Sequence, residues 1–218
     1  MPENPKIIIV EDHPLMQKGM AMTLEAEHDF EISGTFASAE DAIAFVRNET
    51  PDLAIIDISL PGLSGLELIK HFRSSNAKLR MLVVSRHDEE LYAERVIRAG
   101  AHGYIMKVHA GEQIVAAVRK IVNGGVYLSD TMSSKLLMGM SYRSDKPNIS
   151  PHERLSDREL EVFRMIGKGK ATREIAERMH ISAKTVDSYK ARIKEKLHIT
   201  NSSALLQQAV QWGKEEGG

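Results

Sequence analysis

The sequence predicts a two-part protein: an α/β domain built on a doubly wound, five-stranded parallel sheet, followed by a smaller all-α domain of four helices. Three observations carry this. Five short apolar runs alternate strictly with helical patterns over residues 6–123, and strands apolar on both faces belong in a parallel sheet covered by helices on both sides. From Leu155 on, the apolar residues recur only at helical spacing, in short segments separated by turn residues. The charge also divides: residues 1–147 hold 16 basic and 20 acidic side chains, net -4, and the remainder 13 and 10, net +3. Parts of opposite sign suggest two domains, the basic one facing something anionic.

The strands are expected at 6–11, 30–36, 53–57, 79–85 and 103–106, and the helices between and after them at 14–27, 39–48, 65–74, 89–99 and 111–123. Ser38 before Ala39-Glu40-Asp41 is a good N-cap, with acidic residues where the helix dipole favours them. Gly100 and Gly124-Gly125 are plausible helix stops. The first domain is therefore set at 5–127. Residues 128–150, rich in Ser, Gly, Asp and Pro, read as a linker with a short helix over 131–140. The second domain, 151–216, opens with the capping box Ser156-Asp157-Arg158-Glu159. Gly167 and Gly169 close that first helix, Thr172 is expected to cap a second (173–179), Ser182 a third (183–197), and Asn201-Ser202-Ser203 opens a fourth ending near Trp212. Short helices joined by tight turns suggest a helix-turn-helix.

Composition is ordinary for a soluble globular protein, 42% hydrophobic and 27% charged. The absence of cysteine excludes disulfides and thiolate metal sites and favours an intracellular setting. No basic-then-apolar leader opens the chain and no apolar run reaches membrane-spanning length, so a cytoplasmic protein without membrane contact is expected.

The chemistry gathers at strand ends. Ile7-Ile8-Ile9-Val10 runs into Glu11-Asp12, and Leu53-Ala54-Ile55-Ile56 runs into Asp57. A carboxylate at the end of a buried strand is costly unless something charged or reactive meets it. Ser85 and Lys107 end two later strands. Any one of these residues alone is more often a cap, a turn residue or a solvated side chain. Together, at four of five strand ends, they define a crevice of the kind where parallel sheets bind ligands. Asp12 and Asp57 can share a hard cation such as Mg²⁺ through oxygen. A carboxylate, a cation, a hydroxyl and an ammonium suit phosphoryl transfer, with Asp57 as nucleophile. No Gly-rich phosphate loop follows the first strand.

Residues 5 to about 125 resemble the receiver domain of bacterial two-component response regulators. The resemblance rests on Glu11-Asp12, on Asp57 followed by Leu60-Pro61-Gly62-Leu63-Ser64-Gly65, on Ser85, and on Ala99-Gly100-Ala101-His102-Gly103-Tyr104-Ile105-Met106-Lys107. It implies a flavodoxin-like fold and Asp57 as acceptor of phosphate from the phosphohistidine of a sensor histidine kinase. It further implies Mg²⁺ held by Glu11, Asp12, Asp57 and the Ser59 backbone carbonyl, and Lys107 on the phosphate. Ser85 and Tyr104 form the implied switch pair, Ser85 moving toward the phosphoryl group and Tyr104 turning inward behind it. His87 stands where family members tune dephosphorylation, and Val108 where many carry proline.

In the third C-terminal helix Val186, Tyr189, Ile193 and Leu197 share one face and are expected to pack on the preceding helix. Lys184, Ser188, Ala191 and Glu195 project oppositely, flanked by Asp187, Arg192 and Lys194, a surface that fits a recognition helix in the major groove. The segment from Leu155 to Ile199 resembles the LuxR-type helix-turn-helix, through Leu155-Ser156-Asp157-Arg158-Glu159, Ile166-Gly167-Lys168-Gly169, Arg173-Glu174-Ile175-Ala176, Lys184-Thr185-Val186 and Lys196-Leu197. Lys184, Thr185, Asp187, Ser188, Lys190, Ala191, Arg192 and Lys194 are the candidate DNA contacts. Asp187 departs from the lysine frequent there; it either accepts from cytosine N4 or pairs with Lys184 or Lys190. The last helix, with Leu205, Leu206, Ala209 and Val210, resembles the family's dimerisation helix, although packing within one domain accounts for the same residues.

The implied protein is a DNA-binding response regulator of the NarL/FixJ type. It acts on promoter DNA, dimerises when phosphorylated and is no turnover enzyme. Two other readings of the residues stay open: an Asp57-dependent phosphatase or phosphotransferase, and a DNA-binding module whose acidic pocket is vestigial.

Overall fold

A computed structural model describes residues 4–141 and 154–215. The chain divides into two compact units, Met1–Arg143 and Ser144–Gly218. Of the expected linker, residues 142–150 lie outside the described residues, as do 151–153 and 216 of the expected second domain.

In the N-terminal unit β1 (Lys6–Val10), β2 (Glu31–Phe36), β3 (Leu53–Ile56), β4 (Arg80–Ser85) and β5 (Gly103–Met106) form one parallel sheet in the order β2-β1-β3-β4-β5. The helices are α1 (Pro14–Glu25), α2 (Ala39–Val46), α3 (Gly65–Ser75), α4 (Glu89–Ala99), α5 (Ala110–Val122) and α6 (Asp130–Ser141). Because the strand order reverses between β1 and β3, their carboxyl ends open a crevice. Both faces of the central strands β1, β3 and β4 are buried, as their apolar runs require, while the edge strand β2 leaves Glu31 and Thr35 exposed. Ile7, Ile9, Leu53, Ile55, Leu82 and Val84 pack with Met20 and Leu24 of α1 and with Ile114, Val118 and Ile121 of α5. Their alternating neighbours Ile8, Val10, Ala54, Ile56, Met81 and Val83 are buried as well.

Strands β1 and β3 stop one residue before the expected Glu11 and Asp57. The Glu11 N–H still donates to the Phe36 carbonyl and the Asp57 N–H to that of Val10, each at 2.9 Å. Beyond those bonds the chain leaves the ladder, which turns both carboxylates into the crevice. Helix α1 ends at Glu25 rather than residue 27, because the Glu27 N–H bonds back three residues to Leu24 at 3.1 Å and tightens the last turn.

The C-terminal unit holds α7 (Asp157–Gly167), α8 (Thr172–Met179), α9 (Ala183–Lys196) and α10 (Ser202–Glu215). Ser156 and Glu159 form the expected capping box at α7. Thr172 is not a cap. The N-cap of α8 is Ala171, whose N–H donates to Glu174 Oε2 at 2.9 Å, while the Thr172 hydroxyl accepts from Lys190 Nζ. The Glu174 carboxylate takes the orphan donor, which frees the threonine for another partner. Helix α10 runs past the expected end at Trp212, which packs at 5.5 Å between ring centroids on Phe163 of α7. A Cβ on Gly167 would fall 2.5 Å from the Ala209 carbonyl oxygen, so α7 and α10 meet backbone to backbone. Among the described residues no helix is long and apolar enough to cross a membrane.

Candidate functional site

The crevice gathers the charges predicted from the strand ends. Lys107, the first residue after β5, places Nζ 2.8 Å from Asp57 Oδ2, and 2.8 Å from Oε1 and 2.6 Å from Oε2 of Glu11. Glu11 and Asp57 are each only 1% exposed. One ammonium thus faces two buried carboxylates and leaves the group one positive charge short. Burial first, and the charge of Asp57 second, push the Glu11 carboxyl above the usual carboxylate range, against the pull of Lys107. Asp57 Oδ1 is buried with no hydrogen-bond partner among the described residues. An orphaned anionic oxygen is costly in a sheet protein unless a cation or a reacting atom meets it.

Asp12 stands at the rim with His13, whose Nδ1 lies 2.7 Å from Asp12 Oδ1 and 3.0 Å from Glu11 Oε1. Arg86 Nη2 approaches His13 Nε2 at 3.3 Å. Ligating atoms of Glu11, Asp12, His13 and Asp57 all lie within 4.8 Å of one another. His13 went unnoticed in the sequence, where a single histidine between Asp12 and Pro14 reads as a solvated turn residue. It occupies the N-cap of α1, yet its side chain makes no cap bond there.

Ser85 and Tyr104 are buried on one side of the crevice and are joined by His87. The His87 N–H donates to Ser85 Oγ at 3.3 Å, and the Tyr104 hydroxyl donates to the His87 carbonyl at 2.7 Å. The His87 ring stacks on Tyr92 at 4.6 Å and its Nε2 lies 2.8 Å from Ser59 Oγ. The Tyr104 ring lies inside, 1% exposed. Burial holds its phenol well above the usual tyrosine range. Below Asp57 the loop is pinned: a Cβ on Gly65 would fall 1.9 Å from the Asp57 carbonyl oxygen. The Leu63 N–H donates to Glu40 Oε1 at 3.1 Å, and Ser64 and Glu67 cap α3 reciprocally.

In the C-terminal unit α9 buries Val186 and Ile193, with Tyr189 and Leu197 half-buried, and packs on both α7 and α8. Lys184, Asp187, Ser188, Ala191, Arg192 and Glu195 are exposed, while Thr185, Lys190 and Lys194 are half-buried. Thr185 shares a hydrogen bond with the Ser182 cap at 2.8 Å. Lys190 is directed at Thr172, and Asp187 has no ion pair among the described residues, which leaves its carboxylate unspent. Lys196 Nζ lies 2.6 Å from Oε2 of the buried Glu159 and so ties α9 to α7.

The model of the response regulator receiver domain matches residues 7–119, and that of the luxR family of bacterial regulatory proteins matches residues 153–209. The chain belongs to the two-component response regulators of the NarL/FixJ type. It is a DNA-binding response regulator with a receiver domain and a LuxR-type helix-turn-helix domain. It is 32% identical to response regulator UvrY of Escherichia coli K12, over 95% of this chain and 94% of that one. It is 34% identical to the oxygen regulatory protein NreC of Staphylococcus carnosus, over 94% and 96%. A structure of RcsB from Salmonella typhimurium superposes with a TM-score of 0.65 at 27% identity, covering 96% of this chain and 98% of that one.

The response regulator's pocket fits a divalent cation on its own chemistry: an oxygen donor set of three carboxylates, a shortfall of positive charge, and the orphaned Asp57 Oδ1. Its last helix buries Leu205 and Ala209 within the domain, leaving Leu206 44% exposed and Val210 half-buried.

Proposed function

We propose that Asp57 accepts a phosphoryl group from the phosphohistidine of a sensor histidine kinase in a Mg²⁺-dependent reaction, and that this controls promoter binding and transcription. The observation that carries the proposal is the orphaned Asp57 Oδ1, buried beside the Oδ2–Lys107 contact of 2.8 Å. Oδ1 attacks phosphorus, the phosphorus–nitrogen bond breaks, and the imidazole nitrogen leaves with the electron pair. Lys107 neutralises phosphoryl oxygens. Glu11, Asp12, Asp57 and the Ser59 carbonyl hold Mg²⁺, which supplies charge neutralisation at those oxygens when bound.

The product adds nearly two negative charges and strong acceptors at the crevice. These draw the Ser85 hydroxyl toward Asp57 and hold Lys107 there. Since the His87 N–H rests on Ser85 Oγ and the Tyr104 hydroxyl on the His87 carbonyl, the movement reaches the start of α4 through His87. The shifted receiver promotes homodimerisation, which pairs two helix-turn-helix domains on double-stranded DNA. RcsB dimers bound to DNA, and RcsB bound to a promoter in the presence of a phosphomimetic, support this reading. Lys184, Thr185, Asp187, Ser188, Ala191, Arg192 and Lys194 serve as DNA contacts. Lys190, the remaining candidate, is half-buried and has one of its three ammonium donors on Thr172, which sets it apart from these.

The test is phosphorylation by acetyl phosphate with Mg²⁺, read by intact mass. One phosphoryl group per chain, labile to hydroxylamine and lost in Asp57→Asn, is the expected result. An adduct that survives Asp57→Asn refutes the assignment, and multiple turnover of phosphate favours the phosphatase reading.

A further inference from the structure

We infer that His13 is a metal-selectivity residue, adding an imidazole nitrogen to the carboxylate pocket and shifting its preference from Mg²⁺ toward borderline divalent ions such as Co²⁺ and Ni²⁺. The inference rests on the divalent-cation reading of the pocket given above and concerns a side chain that reading does not use. Ligating atoms of Glu11, Asp12, His13 and Asp57 lie within 4.8 Å of one another, a span one ion bridges. Asp57 Oδ1, a member of the same carboxylate group, is buried with no hydrogen-bond partner among the described residues. His13 Nδ1 already contacts Asp12 Oδ1 and Glu11 Oε1, two oxygens offered by the residues just after β1. Its side chain is 49% exposed, so the ring has room to turn within the rim.

Chemistry sets the direction of the preference. Mg²⁺ prefers oxygen and retains several waters, and gains little from imidazole. Affinity for nitrogen donors rises from Mn²⁺ through Co²⁺ to Ni²⁺. Coordination through Nδ1 needs that lone pair, so the ring proton moves to Nε2, where Arg86 Nη2 now sits at 3.3 Å. Two donors face one another in that state, and the exposed Arg86 turns away. Arg86 therefore opposes the nitrogen-ligated form, and removing it strengthens that form.

The experiment measures Co²⁺ binding to the full chain by visible absorbance, with Mg²⁺ as competitor, and takes the signal lost in Asp12→Asn as the pocket's share. His13→Gln keeps an amide donor for Asp12 and Glu11 but offers no imidazole. It is expected to weaken Co²⁺ by about tenfold and leave Mg²⁺ within about twofold. Arg86→Gln is expected to raise the Co²⁺-to-Mg²⁺ ratio; the ratio cancels the change in net charge, since both ions are divalent. Equal losses for both ions in His13→Gln overturn the inference and make His13 a carboxylate-positioning residue. No change for either ion overturns it too. If the wild-type pocket takes neither ion, the Mg²⁺-dependent reading falls with it, a result told apart by the absence of any Asp12→Asn difference.

Discussion

Gly65→Ala meets the closest contact of any described glycine. The added Cβ lands 1.9 Å from the Asp57 carbonyl oxygen and 2.9 Å from the Ile58 Cα, both backbone atoms. Ordinary contact begins at about 3.4 Å, so the loop after Asp57 has to retreat by roughly 1.5 Å, and no side-chain rotation relieves it. Overpacking of this kind costs about 3 kcal/mol. The displaced atoms belong to the nucleophile itself, and a misplacement of about 1 Å lowers a positioned reaction by roughly a hundredfold. The assay is paired: urea denaturation followed by circular dichroism, and the initial rate of phosphoryl incorporation from acetyl phosphate. Gly111→Ala in α5, where nothing lies within 4 Å of the added Cβ, is the control and gains about 0.5 kcal/mol with an unchanged rate. A Gly65→Ala protein as stable and as fast as wild type refutes the claim that this glycine sets the position of Asp57.

Three further outcomes follow from single contacts. The His102 ring accepts the Met81 N–H at Nδ1, 3.1 Å, and burial, then Arg80 and Arg73, hold its pKa below the usual value. Its folded pKa lies below the unfolded one, so the stability it contributes is complete above about pH 6.5 and declines as pH falls from there toward the folded value. His102→Asn keeps an acceptor and flattens the melting temperature in that window, and an unchanged pH profile contradicts the assignment. In the DNA-binding domain burial raises the Glu159 carboxyl, but Lys196 and Ser156 outweigh it and hold the pKa down. The stability from this pair is present above about pH 4.5 and lost as pH falls through the folded value. Lys196→Met should shrink that acid-side loss, seen as Trp212 fluorescence during unfolding. Lys184→Ala is expected to lower the salt slope of DNA binding by about 1, whereas Lys190→Ala destabilises the domain and leaves the slope nearly unchanged. Equal slopes for the two variants refute the division of roles between them.

Much of the molecule is legible in the sequence because burial and charge leave period and position behind. The central strands β1, β3 and β4 are buried along nearly their whole length and carry apolar runs, and all five strands are found in order, the edge strand β2 with its exposed Glu31 and Thr35 among them. Glu11, Asp57, Ser85 and Lys107 stand out because charged or polar groups directly after such runs have few bland explanations once they recur. Histidines carry no such mark. His13 and His87 lie in turns where any polar residue reads as solvated, and only folding brings His13 onto Glu11 and Asp12, or sets Ser85, Tyr104, Tyr92 and Ser59 around His87. Long-range partners are equally silent in sequence. Thr172 reads as a cap until Lys190 is seen on its hydroxyl, and Lys196 as a solvated helix end until Glu159 is found beside it. Helix α10 continues through Gly213, which does not take the left-handed backbone of a helix-stopping glycine.

The central claim is that Asp57 is the input that governs DNA binding. Its most direct test is the affinity of the full chain for promoter DNA bearing paired half-sites, at one fixed salt concentration, with and without acetyl phosphate and Mg²⁺. Wild type is expected to bind more tightly and as a dimer when phosphorylated, and Asp57→Asn to show no response. An equal gain in the Asp57→Asn protein, or none in wild type that carries the phosphoryl group, contradicts the account.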